Sequence, residues 1–279
     1  MSTNVEAGRL AVETPMTHAG EPFLSMHRAL MGELGIEWYL LDPAMIPEPL
    51  LSEVRLTWSW RAQTEYRSVQ VMTRFLTEVL GAGDPLEIQS GAADAIRDEI
   101  RHTALCVGVV EALGETALLP TPVPEPLEDG FRAMPMAQRA LVTAISMLLV
   151  NETISVALIG DLAARATHPT IRAVLKATMT DETTHQQFGW HYVAASLRRF
   201  DAAGRAYAAR ITAYALEGHL APARNLVASL PTERQTLNAW HEPDFARYGL
   251  MSRPREALIK LQLHQRFLAP RLQALGLLG

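Results

Sequence analysis

Asp98-Glu99-Ile100-Arg101-His102 and Asp181-Glu182-Thr183-Thr184-His185 both spell D-E-x-x-H. Residues three apart on a helix share a face, so each motif offers a carboxylate and an imidazole side by side. Two lone glutamates accompany them. Glu152 sits inside Ala140 to Gly160, a run that is apolar but for a few Thr, Ser and Asn and holds no Lys, Arg or His until its end. Burying an unpaired carboxylate there costs several kcal/mol or shifts its pKa until it is neutral. Glu65 fills the open slot in an apolar stripe of Trp58, Ala62, Val69, Met72, Leu76 and Val79. The other acids fail the same phase test at 100° per residue: Glu53 lies about 120° off that stripe and Glu78 about 220° off. Four carboxylates in one apolar interior demand cations. Two divalent ions would bring +4 against −4, with two neutral imidazoles completing the shell. Mixed oxygen and nitrogen donors suit iron or manganese.

Helical periodicity supplies the scaffold, and no convincing alternating strand appears. Long helices are expected at about 51–80, 91–114, 134–165, 170–200, 203–229 and 254–275, with shorter ones near 23–33 and 241–249. Gly81-Ala82-Gly83-Asp84-Pro85 breaks the first pair, and Thr167-His168-Pro169 breaks the second, with Pro169 suited to a first helical position. The connection from about 115 to 133 contains PTPVPEP (Pro120 to Pro126), which reads as extended chain. Two hairpins joined by one long crossover describe an all-α, ferritin-like four-helix bundle, among a few other bundles, followed by additional C-terminal helices. In each hairpin the candidate ligands stand at similar distances from the turn. Glu65 and Glu99 flank Gly83, and Glu152 and Glu182 flank Thr167, all at roughly 22–27 Å for a rise of ~1.5 Å per residue. Singly, each glutamate would read as solvated and each histidine as structural. Order, phase and height together bring Glu65, Glu99, His102, Glu152, Glu182 and His185 to one two-metal site.

The rest of the composition narrows the class. The 279 residues are 48% hydrophobic and 20% charged, with a mean hydropathy near zero, as in ordinary soluble globular proteins. Net charge −5 and a pI near 6.0 argue against nucleic-acid binding. One cysteine rules out an intramolecular disulfide framework and fits a reducing, cytoplasmic setting. The Ala140–Gly160 run raises the question of a membrane span, but Asn151 and Glu152 at its centre would make insertion costly, and a buried core helix is the better reading. Residues 1–20 lack a signal-peptide pattern and read as a mobile tail. Residues 21–279 then form one domain, with the bundle at about 51–200 and accessory helices at 201–279.

From about Leu51 to Phe200 the chain resembles the ferritin-like di-iron carboxylate superfamily, on the two D-E-x-x-H motifs and their accompanying glutamates. Within it the loop sizes and Glu-to-Glu gaps are most similar to the p-aminobenzoate N-oxygenase type. The resemblance implies two iron ions (Fe/Fe, with Mn/Fe as the variant) held by Glu65, Glu99, His102, Glu152, Glu182 and His185. Glu99 and Glu182 would bridge them. Asp98 and Asp181 would match the acids that orient the ligand histidine of the opposite motif. One departure stands out: the N-oxygenases carry a further histidine one turn before the second motif's glutamate, where this chain has Thr178. Cys106 stands where ribonucleotide reductase small subunits carry a radical tyrosine, and Val156 where bacterial multicomponent hydroxylases carry a threonine. Cys106 reads as a buried small apolar residue.

Other residues near the motifs read as packing or surface. His191 lies about 180° around its helix from Glu182, and Tyr66 about 100° off the inward stripe. Phe188, Gly189 and Tyr192 follow His185 on the site-facing side and read as core more readily than as pocket walls. Arg97 and Arg101 read as surface or salt-bridge partners. No Walker loop, dinucleotide fingerprint or C-x-x-C pair is visible, so flavin, NAD and rubredoxin-type centres have no support.

The expected activity is that of a di-iron oxidoreductase using O2 to oxygenate or oxidise a small organic molecule, with no catalytic group assigned beyond the metal ligands. Turnover would need an external electron donor such as a ferredoxin. No nucleic acid or membrane is expected as partner, and the segment Ala257 to Leu278 could pack on the bundle or in a homodimer. The alternative is a ferroxidase or metal-storage protein, against which the nearly eighty residues after Phe200 weigh. A third possibility is a structural bundle whose buried polar network merely fixes its fold.

Overall fold

The computed structural model describes residues 14–17, 19–31, 35–121 and 129–279. Its helices are α1 (Phe23–Met31), α2 (Glu48–Gly81), α3 (Leu86–Ala112), α4 (Asp129–Ala133), α5 (Met136–Thr143), α6 (Glu152–Arg165), α7 (Pro169–Ser196), α8 (Ala202–Ala228), α9 (Pro243–Arg247), α10 (Arg253–Leu263) and α11 (Ala269–Ala274). The only β pairing among the described residues is an isolated bridge between Pro15 and Leu118. The ends of the helices follow local chemistry. Pro169 begins α7, where its missing N–H costs nothing. The Asp201 carboxylate caps α8 by accepting from the Gly204 N–H at 2.8 Å. Gly83, at φ +69°, makes the tight reversal from α2 into α3 that a Cβ would strain.

Helix α2 packs along α3, α6 along α7, and α3 faces α7 across the interior. This is the ferritin-like bundle expected from the connection lengths. The third rod is not uniform. Between α5 and α6 the residues Ala144–Asn151 wind as a π-helix, and Glu152 donates its backbone N–H to Met147 O, five residues back. A second π stretch, His264–Leu268, joins α10 to α11. Met136–Arg165 as a whole is long and apolar enough to cross a membrane by length and composition, and half of its most apolar window is buried inside the protein.

The apolar interior divides in two. One cluster gathers Met72, Phe75, Val79, Ala92, Ala95, Ile145, Leu148 and Tyr192. The other gathers Trp58, Ala62, Leu105, Cys106, Val110, Ile171 and Val174. On α2, α3 and α7 the candidate ligands occupy chain positions between the two clusters, while Glu152 lies between Val150 and Ile154 of the first. The later helices belong to these same clusters: Leu216, Leu220, Leu268, Leu272 and Leu277 join the first, Tyr248 and Leu250 the second.

Three expectations need adjustment. Helix α3 starts at Leu86, directly after Pro85, and not near 91. Residues 14–17, inside the stretch read as a tail, are held by backbone bonds from Met16 N–H to Ala117 O and from Leu119 N–H to Thr14 O. Most of PTPVPEP and residues 1–13 lie outside the described residues.

Candidate metal centre

The six residues singled out by spacing come together. Glu99, Glu152, Glu182 and His185 each place a ligand atom within 4.8 Å of the others, and Glu65, Glu99 and His102 do the same. Glu99 belongs to both groups, as a bridging carboxylate would. All but Glu65 are buried, and His102 is fully so. The Glu65 side chain keeps 16% of its surface, so the cluster meets solvent on the α2 side.

The imidazoles are oriented from behind. The His102 Nε2–H donates to Asp181 Oδ2, and the His185 Nε2–H donates to Asp98 Oδ2, both at 3.2 Å. The carboxylate acceptors fix these tautomers and turn each Nδ1 inward. His102 Nδ1 then lies 3.8 Å from Glu99, 3.6 Å from Glu182 and 3.9 Å from Glu65. His185 Nδ1 lies 3.5 Å from Glu99 and 3.7 Å from Glu182. Arg101 adds a 2.9 Å ion pair to Asp181, so it serves a group that serves the site. Arg97 pairs with Asp94 at 2.6 Å and reaches Asp98 only at 3.8 Å.

Whether cations fit can be judged from what is left over. Among the described residues, both Glu99 oxygens, Glu182 Oε2, His102 Nδ1 and His185 Nδ1 are buried without a hydrogen-bond partner. Orphaned buried polar atoms are rare, and five in one place imply an unseen partner. Donor separations of 3.5–3.9 Å are those spanned by an ion whose bonds to nitrogen and oxygen are ~2 Å. The electrostatics agree. Burial, then the Glu99 charge, pushes the Glu65 carboxyl well above the usual range. Burial, then the Glu182 charge, does the same to Glu152. Burial opposes charge on the imidazoles too, but the hydrogen bond to Asp181 and the adjacent Glu99 carboxylate raise His102 to about 10, and the hydrogen bond to Asp98 and the adjacent Glu182 carboxylate raise His185 to about 12. Burial likewise works against Glu182, yet the neighbouring Glu152 carboxyl and His185 imidazole bring it to about 2. The raised values at Glu65, Glu152, His102 and His185 mark a cluster whose negative charge calls for positive partners, which two divalent ions would supply.

A family model described as p-aminobenzoate N-oxygenase AurF matches residues 71–252. The chain belongs to this p-aminobenzoate N-oxygenase family. The match runs through Glu99, His102, Glu152, Glu182 and His185 and begins just after Glu65. No curated protein and no solved structure matches the chain. The family consists of non-haem di-iron N-oxygenases, so the chain is an O2-dependent oxidoreductase acting on a small molecule, with a buried site for two metal ions.

The neighbouring residues sort as follows. Thr178, at the position of the N-oxygenases' further histidine, is buried and donates to Val174 O on its own helix. Cys106 is buried among apolar residues, and burial raises its thiol well above the ordinary value. His191 is exposed. Phe188 and Tyr192 pack on Phe75 in the core, and the Tyr192 hydroxyl donates to Asp84 at 2.9 Å. Two features escaped the sequence. Arg61 stacks on Trp58 with 4.6 Å to the ring centre and donates to Gly249 O at 2.7 Å. Thr153, next to Glu152, accepts the Trp190 indole N–H at 3.1 Å. The apolar run around Thr153 gave no hint that its hydroxyl would meet this indole.

Proposed function

We propose that Glu65, Glu99, His102, Glu152, Glu182 and His185 hold two iron ions, and that the chain uses O2 to oxidise the nitrogen of a small amine. The observation that carries this reading is the pair of inward, unpartnered Nδ1 atoms facing the shared Glu99 carboxylate. When bound, the metal pair supplies electrons to O2 and the oxidising power for the substrate. The chain's own contributions are distinct. Asp98 and Asp181 hold the imidazole protons at Nε2, so that Nδ1 stays available. The two apolar clusters exclude water on either side of the layer. The partial exposure of Glu65 marks the side from which small molecules arrive. Electrons come from an external donor such as a ferredoxin, and the accessory helices form one domain with the bundle.

The test starts from purified protein reconstituted anaerobically with ferrous iron. Two ions per chain are expected, and Glu152→Ala should hold one. With a chemical reductant and p-aminobenzoate as probe, O2 uptake should accompany formation of the N-oxygenated product. Fewer than one ion per chain, or undiminished binding in Glu152→Ala, would overturn the ligand set. Two ions with oxidation of many added ferrous ions per chain, and no amine oxidation, would assign the protein to iron handling.

A further inference from the structure

The π stretch has a consequence for α7. Glu152 N–H bonds to Met147 O, and a return to α-helical i→i−4 pairing at the next residue directs the Thr153 N–H to Leu149 by helix geometry alone. The Leu148 carbonyl is therefore passed over by the ladder. It faces Gly189. A Cβ built on Gly189 would lie 2.4 Å from Leu148 O, 2.6 Å from its carbonyl carbon and 2.7 Å from its Cβ. The first two are backbone atoms, which cannot swing aside as a flexible side chain would. The adjacent residue secures the same turn: Trp190 Nε1–H donates to Thr153 Oγ1 at 3.1 Å, and the Thr153 hydroxyl donates to Leu149 O at 2.5 Å.

We propose that Gly189 is a positioning residue, whose bare Cα forms a notch for the carbonyl released by the π turn and thereby fixes Glu152 in the metal layer. The inference rests on the reading of Glu152 as a ligand. The extra residue of a π turn rotates everything after it by about 100° relative to what precedes it. Glu152 is the first residue after the turn, so its direction depends on the turn keeping its form. Gly189 lies one turn beyond His185 and two beyond Glu182 on the same helix face. A side chain there would push α7 and the π turn apart at the level next to the site. Glu152 would move away from Glu182 and His185, which share α7.

The test counts ferrous ions bound per chain by anaerobic equilibrium dialysis and follows thermal unfolding by circular dichroism. Glu152→Ala serves as the reference; if it still binds two ions, the ligand reading fails first. With that reference at one ion, Gly189→Ala is expected to remain helical, melt lower and bind close to one ion. Two ions bound by Gly189→Ala with wild-type affinity would overturn the proposal. A second comparison covers poor folding of that variant. Deleting Ser146 converts the π turn to α, withdraws the bulging carbonyl and turns Glu152 off the site. In that background Gly189→Ala should lower the melting temperature by less than a third of its effect in the full chain, and binding should stay at one ion. Equal destabilisation in both backgrounds would show that the notch does not serve the Leu148 carbonyl, and the proposal would fall.

Discussion

Asp98 and Asp181 each receive an imidazole N–H from the other's motif, so the two D-E-x-x-H sequences brace one another across the bundle. Replacing either by alanine removes the acceptor that fixes the tautomer. Asp181→Ala should weaken metal binding by about 10–100-fold, read by competition with a chelator; wild-type affinity would remove this role. Individual side chains were the most legible part of the sequence. Glu65 and Glu152 betray themselves because a charge in an apolar stripe has a cost that something must offset. The crossed Asp–His bonds came from resemblance, since a helix-face acid looks the same whether it meets water or a histidine. Arg61, Thr153 and the notch at Gly189 could not be read at all. Their partners are backbone carbonyls or a distant indole, which leave no trace in residue type.

At the scale of elements, hairpin lengths and turn residues located the four long rods to within a few residues. The π turns before Glu152 and before Ala269 were invisible, because one extra residue in an apolar helix blurs its periodicity without ending it. A second tie that spacing could not reveal joins the accessory helices to the rod that carries Glu152. Arg255 on α10 grips Asp161 on α6 through Nε at 2.9 Å and Nη2 at 2.5 Å. It also donates to the Leu237 and Trp240 carbonyls. Burial alone would raise the Asp161 carboxyl, but Arg255 and Arg165 outweigh it and hold it below the usual range. A depressed carboxyl stabilises fully above its unfolded pKa, ~3.9, and that contribution disappears as pH falls through the lower folded value. Asp161→Asn should therefore cost about 2 kcal/mol at neutral pH. The gap in urea midpoint between variant and wild type should begin to narrow below about pH 4 and shrink further as the pH falls through the folded value. A gap as wide at the acid end of the titration as at neutral pH would rule out the ion pair as its source.

At the scale of the whole molecule, the C-terminal third is part of the interior and not an appendage. Leu268, Leu272 and Leu277 are essentially inaccessible and share a cluster with Phe75 and Leu148. Leu272→Ala should cost about 2–5 kcal/mol, and urea unfolding should remain one cooperative transition; a separate early transition would mark an independent accessory unit. The sequence could show that these helices were amphipathic, but whether their apolar faces met the bundle or another subunit depended on tertiary placement. The division of the interior also reverses an ordinary pattern. Helices commonly loosen from their tips inward. Here two oily halves flank a waist of mutually repelling acids, so an ion-free chain should be softest at mid-span. Amide hydrogen exchange would then slow most on adding iron around residues 99–102 and 182–185, far from any helix end. The cations act as a keystone, and taking them out slackens the middle of the arch while both feet stay planted.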